Sequence, residues 1–430
     1  MRRDQFLTRL GGLGATGWMA GTGLLAAAST KGMKSLNTKP LSSEMWNGTS
    51  ELDEYREPDL ANQWPVVERL ADRAHYPLSH INRPHVPLDV HRREARARVF
   101  DALGVRPVPH PLRIERLERH EFPDFFREKI LFESAPGFNV PAWIHIPKGL
   151  QGAAPGIVDL HSHGGMFLYG KEKVIDFGDN GETMQRYHEI NYEGRPTTTE
   201  LVRRGYVVVT TDAFLFGERR VMLQEDLDRY GWDRSSYSPS VVQELNQRCR
   251  AKANTFVKSM SWLGMSWPGI VLRDDMRTVD LLSSLPEVDS RRIGCLGVSF
   301  GGWRTLLLSG LDDRVRAACV TGFMSRVAPM LRNHVDTHSW VHFIPGIHRA
   351  LDLPDIVGLR APLPLLVQQC RRDGLYPLEG MEAAVRDLNE LYSLANAPGK
   401  FEGRFYDEPH IFNRRMQEEA YDWIDRQLSS

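Results

Sequence analysis

The run Gly297-Val298-Ser299-Phe300-Gly301-Gly302 constrains this chain more than any other. It fits G-x-S-x-G and stands between an apolar strand-like segment, Arg292 to Leu296, and an apolar helical segment from Gly301. A serine there must pass from strand to helix in one sharp turn. Such a turn strains the backbone of its central residue, and glycines two positions to either side permit close chain approach. It also leaves the serine at the positive end of a helix, where a developing oxyanion is stabilised. Ser299 is therefore the candidate nucleophile, against the plainer reading of a helix-capping serine.

A nucleophilic serine needs a base, and the base needs an orienting carboxylate. Beyond Ser299, the apolar strand-like run Leu363 to Cys370 leads into Arg371-Arg372-Asp373-Gly374, with Pro377 closing the turn. An aspartate just past such a strand lies at the carboxyl edge of a parallel sheet, where sites form. Asp373 is the candidate acid; Asp336 and Asp312 are rivals in segments harder to place. His410 follows a last strand-like run, Lys400 to Tyr406, and precedes the final helix. Among fifteen histidines it alone falls after both Ser299 and a plausible last strand, so it is the candidate base.

The oxyanion would be met by the Phe300 amide and by a second amide from His161-Ser162-His163-Gly164-Gly165-Met166, supplied by Gly165 or Met166. His163 reads first as a histidine holding that loop and second as another base. Glu218, Arg219 and Arg220 follow the strand-like run Tyr206 to Thr211. Arg219 could bind an anionic group bidentately or form a structural ion pair anchoring an insertion. Arg219, His163 and Trp340 are the candidate substrate-binding residues.

Several short runs precede this core: Leu112 to Leu117, Arg127 to Glu133, Val140 to Ile146 and Gly156 to His161, with Ser134-Ala135-Pro136-Gly137 joining the second and third as a hairpin. Apolar strands then alternate with helices, which implies a mostly parallel sheet covered on both faces. Residues 213–263 and 322–359 break the alternation and are too long for bare loops, so each should hold helices or shape a site. Their aromatics, Trp340 among them, suit stacking on sugar rings or closing over an acyl chain, although most should form the insertions' own cores.

The N-terminus differs from the rest. Arg2-Arg3-Asp4-Gln5-Phe6-Leu7, a Gly/Ala-rich weakly apolar stretch and Ala26-Ala27-Ala28 resemble a twin-arginine export signal over residues 1–28. The apolar run is too short and glycine-rich to span a membrane comfortably, so no stable insertion is expected once it is cleaved, and the mature chain is expected to be periplasmic or secreted. Residues 29–109 read as a polar linker and a helical cap, whose Arg92, Arg93, Arg96 and Arg98 suggest a solvated face. The catalytic domain would occupy 110–430. A formal net charge of -1 lacks the basic footprint of a nucleic-acid binder. The four cysteines show no metal-ligand spacing, and neither metal nor cofactor is expected.

Together these residues resemble the α/β-hydrolase superfamily over roughly Pro111 to the C-terminus, and within it the dienelactone hydrolase, acetyl xylan esterase and prolyl-oligopeptidase-like group. The closer likeness rests on Ala135 to Ala142, on His163-Gly164-Gly165 with Gly170-Lys171-Glu172-Lys173, and on Asp212 to Arg219. It implies a carboxylic-ester hydrolase, with a small-molecule or carbohydrate ester, such as an acetyl ester, as substrate. The dienelactone hydrolases proper use a cysteine nucleophile, so Ser299 departs from them. A prolyl-oligopeptidase-like peptidase is the alternative, although about 80 residues before the first strand are too few for the propeller such enzymes carry. A non-catalytic binding protein on the same fold is the third reading.

Overall fold

In the computed structural model, the described residues are 60–106, 110–178 and 181–429. The export signal and most of the linker lie outside them. A nine-stranded sheet forms the centre, in the order β1-β2-β3-β5-β4-β6-β7-β8-β9. β1 (Ile114–Glu121), β2 (Phe125–Ala135) and β3 (Phe138–Pro147) form an antiparallel meander, and β3 pairs antiparallel with β5 (Val207–Thr211). From β5 onward, β4 (Ala154–Leu160), β6 (Val288–Val298), β7 (Val315–Thr321), β8 (Leu365–Cys370) and β9 (Phe401–Tyr406) are parallel. β5, β7 and β8 are buried nearly throughout, as parallel strands covered on both faces must be. This is the α/β-hydrolase architecture expected from the sequence.

The topology places the site. After β4 the chain runs to β5 on one side, then returns to lay β6 on the other. Such a reversal opens a crevice at the carboxyl ends of the two strands, here β4 and β6. Ser299 follows β6 directly, and the His161–Met166 turn follows β4.

The N-terminal segment holds helices Trp64–Ala71 and Leu88–Leu103. On the arginine face of the second helix Arg93 is exposed as expected, but the other three correct the solvated reading. Arg92 and Arg96 both pair with Asp313, Arg96 Nε also donates to Gly310 O at 3.0 Å, and Arg98 donates to Gly346 O at 2.9 Å. Arginine forks suit carboxylates and helix-end carbonyls, so this face docks the helix onto the catalytic core. Periodicity gave the helix but could not show that acceptors more than 200 residues away would meet it.

Candidate active site

The β6-to-helix turn is tight in the way the motif requires. Ser299 has φ 59° and ψ -122°, a left-handed conformation that non-glycine residues rarely adopt. It occupies the N-cap position of the helix Phe300–Leu311, yet its side chain caps no amide, which rules out the capping role. Close backbone packing forces the turn. A Cβ at Gly301 would lie 1.9 Å from Leu160 O, and one at Gly297 would lie 2.4 Å from Gly301 C. The Ser299 amide is anchored on Thr321 O at 2.9 Å.

Asp373 and His410 meet as expected. His410 Nδ1 donates to Asp373 Oδ2 at 2.6 Å, and Asp373 Oδ1 accepts from the Leu375 amide at 2.9 Å, which holds the carboxylate in its turn. Burial pulls the imidazolium down, but the Asp373 carboxylate outweighs it, and His410 titrates above its ordinary value. Gly322, at the end of β7 with φ +58°, brings this pair to the nucleophile. A Cβ there would lie 3.2 Å from His410 Cε1 and 3.9 Å from Ser299 N, so the imidazole and the strained turn share the space a side chain would take. Sequence reasoning passed over Gly322; its place directly after an apolar strand was the signal.

The remaining candidates fare differently. Phe300 opens the helix, so its amide is one of the free N-terminal N–H groups. Gly165 and Met166 do not fit the role of second donor in this geometry. The Gly165 amide donates to His163 Nδ1 at 3.0 Å and the Met166 amide to His163 O at 3.2 Å. His163 is thus the post around which the turn closes, a holding role and not substrate contact. Burial keeps it neutral, with its pKa far below the ordinary value. Arg219 is also corrected: its side chain is 4% exposed and donates to Asp274 Oδ2 at 2.8 Å and to Asp212 O at 3.1 Å. It is a buried tie between the loop after β5 and the helix Trp267–Ser284, which leaves it unfit to receive a substrate anion.

Trp340 is 54% exposed, on a short 3-10 turn of the second insertion, with its ring against Phe343. Deeper in that insertion a chain of rings leads toward the base. His342 stacks on Phe323 with centroids 5.4 Å apart, His338 lies 5.3 Å from His342, Tyr376 lies 5.1 Å from His338, and His410 lies 6.2 Å from Tyr376. The other insertion holds helices Gln224–Tyr230 and Pro239–Trp262.

Beneath the turn after β4 lies a cluster of charge. Lys171 Nζ contacts Asp212 Oδ2 at 2.5 Å and Glu218 Oε1 at 2.6 Å, while Arg234 Nη2 donates to Glu172 Oε1 at 2.6 Å. Burial works against the Lys171 ammonium, but Asp212, Glu218 and Glu172 more than offset it and raise its pKa. Charged residues inside an otherwise buried stretch, Gly170 to Lys173, were the sequence signal for this cluster.

The fold is that of the α/β-hydrolases, with Ser299 and the Asp373–His410 pair at the carboxyl edge of its sheet. An acetyl xylan esterase family model matches residues 269–339, which carry Ser299 but neither Asp373 nor His410. A candidate hydrolase of Bacillus subtilis (strain 168), YtaP, is 26% identical over 306 residues, covering 70% of this chain and 88% of its own length. Among solved structures, a candidate acetyl xylan esterase of Bacteroides fragilis superposes with a TM-score of 0.61 at 17% identity, over 80% of this chain and 82% of its own. A glucuronoyl esterase from Solibacter usitatus superposes with a TM-score of 0.55 at 14% identity, over 78% and 92%. At these identities the structural likeness speaks for the fold.

Proposed function

We propose that this chain is a serine carboxylic-ester hydrolase acting on carbohydrate esters, with short acyl groups such as acetyl as its substrates. The observation that carries the reading is the strained, uncapped Ser299 beside the His410–Asp373 pair. The names of the matched family and of the superposing esterases support the carbohydrate part.

In this mechanism His410 Nε2 takes the Ser299 Oγ proton as Oγ bonds to the ester carbonyl carbon. Negative charge moves to the carbonyl oxygen and is met by the Phe300 amide and an amide of the turn after β4. Collapse breaks the bond to the alcohol oxygen, which receives the proton from His410 and leaves an acyl-serine. Water, deprotonated by the same histidine, then attacks the acyl carbon, and Ser299 recovers its proton as the acid departs. Asp373 holds the imidazole with Nδ1 protonated, so that Nε2 faces the serine as acceptor. The wall of rings from Phe323 to Tyr376 narrows the acyl side, and exposed Trp340 offers a stacking face.

The export signal read at residues 1–28 belongs to the same proposal, since a polysaccharide ester lies outside the cytoplasm. Among the described residues no helix is long and apolar enough to cross a membrane.

The test is hydrolysis of p-nitrophenyl esters from acetyl to octanoyl, then of acetylated xylan, by wild type and Ser299→Ala. Wild type should prefer acetyl steeply, and Ser299→Ala should lose about a thousandfold or more while keeping its fold. Substantial activity in Ser299→Ala would overturn the mechanism, and a flat or rising chain-length profile would overturn the short-acyl assignment.

A further inference from the structure

Lys173 has no place in the chemistry above, yet its side chain is wholly buried directly beneath the turn that faces Ser299. Its Nζ donates to Ser162 O at 3.0 Å, His163 O at 2.7 Å and Met166 O at 2.8 Å, and lies 5.0 Å from the centroid of the Phe216 ring. Three carbonyls need three N–H groups, which an ammonium supplies and a neutral amine does not. Drawing three carbonyls of one short turn onto a single point fixes the peptide planes between them.

The consequence follows from peptide geometry. In a trans peptide the N–H points opposite to the C=O of the same unit. With the carbonyls of Ser162 and His163 turned down onto Lys173, the amides of His163 and Gly164 point away from it. The next two amides, of Gly165 and Met166, are already spent on His163.

Resting on the serine-esterase reading, we propose that Lys173 is a positioning residue, whose ammonium holds the His163 and Gly164 amides as the second set of donors to the oxyanion formed at Ser299. Gly164 and Gly165 both sit at positive φ, at +55° and +65°, and add little stiffness of their own to a turn otherwise closed by His163 and by His161 Nδ1 on Ser162 O at 2.9 Å. A fixed charge replaces that missing stiffness, and donors fixed beforehand cost no reorganisation during the reaction. Burial draws the Lys173 pKa down to about 7 despite Glu172 and Asp212 nearby, so the three-carbonyl cage is complete only while the amine is protonated.

The experiment compares Lys173→Met and Lys173→Gln with wild type on p-nitrophenyl acetate, beside inhibition by an arylboronic acid, which forms a tetrahedral anion on the serine. Lys173→Met should lose about a hundredfold in kcat and in boronate affinity, with KM within about threefold, as expected for a lost oxyanion donor. Lys173→Gln, with two N–H groups in the same place, should recover part of both. A Lys173→Met variant that melts like wild type and keeps kcat within about threefold overturns the proposal, as does a loss confined to KM. One further measurement needs no variant to fold: in wild type labelled with 15N-glycine, phosphonylation of Ser299 by a fluorophosphonate should move the Gly164 amide proton downfield, and an unmoved signal overturns the proposal. If Ser299→Ala is itself active, the fault lies with the underlying reading; if it is dead while Lys173→Met is unimpaired, only Lys173 is refuted.

Discussion

The turn that carries Ser299, residues 297–301, is held by backbone laid against backbone, with Gly301 so close to Leu160 that no Cβ fits between them. The turn facing it, residues 161–173, is held by buried charge: Lys173 gathers three carbonyls, and Lys171 bridges Asp212 and Glu218. The first must strain one residue and does so sterically, by laying Gly301 against Gly297 and Leu160. The second must aim several peptide groups and does so electrostatically, with Lys173 on the carbonyls of its own turn and Lys171 on the loop after β5. Steric devices fail when something is added, and electrostatic ones when something is removed.

The largest effect should come from removing charge. Lys171→Met leaves Asp212 and Glu218 facing each other in a dry site, and breaking a buried pair in this way costs about 3–5 kcal/mol. Urea unfolding measures it, and a loss under about 1 kcal/mol would mean the cluster is hydrated and the contrast with the Ser299 turn is false.

A smaller effect is expected from adding one methyl group. Gly301→Ala sets a Cβ against Leu160 O and should cost about 1–3 kcal/mol, with the activity of the folded protein falling further as Ser299 shifts. Unchanged unfolding and turnover would show that the turn yields, so that glycine there is not what holds it.

The smallest is a displacement in pH, which asks whether electrostatic control also reaches the base. His410 acts as a base only when neutral, so kcat/KM should rise with pH through its pKa. Because Asp373 raises that pKa against burial, the acid limb should lie above the ordinary imidazole value of about 6.5. By linkage, the stability this pair contributes is fully present below about 6.5 and is lost as pH climbs through the raised value. In Asp373→Asn the residual activity should show the limb displaced to lower pH, since burial then acts alone. A wild-type limb at or below 6.5 would remove Asp373 as the controlling charge.

Much of this was legible in the sequence because it is local. The parallel strands of the core fall where apolar runs do, since a parallel strand buried on both faces must be apolar throughout, whereas β1 is polar and largely exposed. Ser299, Asp373 and His410 each follow a strand; the last strand set His410 apart from the other histidines, and only its place just after β8 favoured Asp373 over Asp312 and Asp336. The four cysteines are buried free thiols, three of them on β6, β7 and β8 as the apolar runs around them implied.

What the sequence left open was which polar partner each of several groups would meet. Arg219 stood between an anion receptor and a structural ion pair until Asp274, 55 residues on, took its guanidinium. Three arginines of the helix Leu88–Leu103 looked solvated until Asp313 and Gly346 met them. Gly165 and Met166 were sensible oxyanion donors by motif, but which amides a glycine turn presents is settled by what draws its carbonyls the other way.

By itself, then, the sequence determined the sheet, the strained serine turn and the order of the three candidate catalytic side chains, because hydrophobic periodicity and glycine spacing act over a few residues. Only the tertiary structure decided where each charge is compensated, because a buried ion costs too much to leave unpaired and takes whichever partner the fold brings within reach.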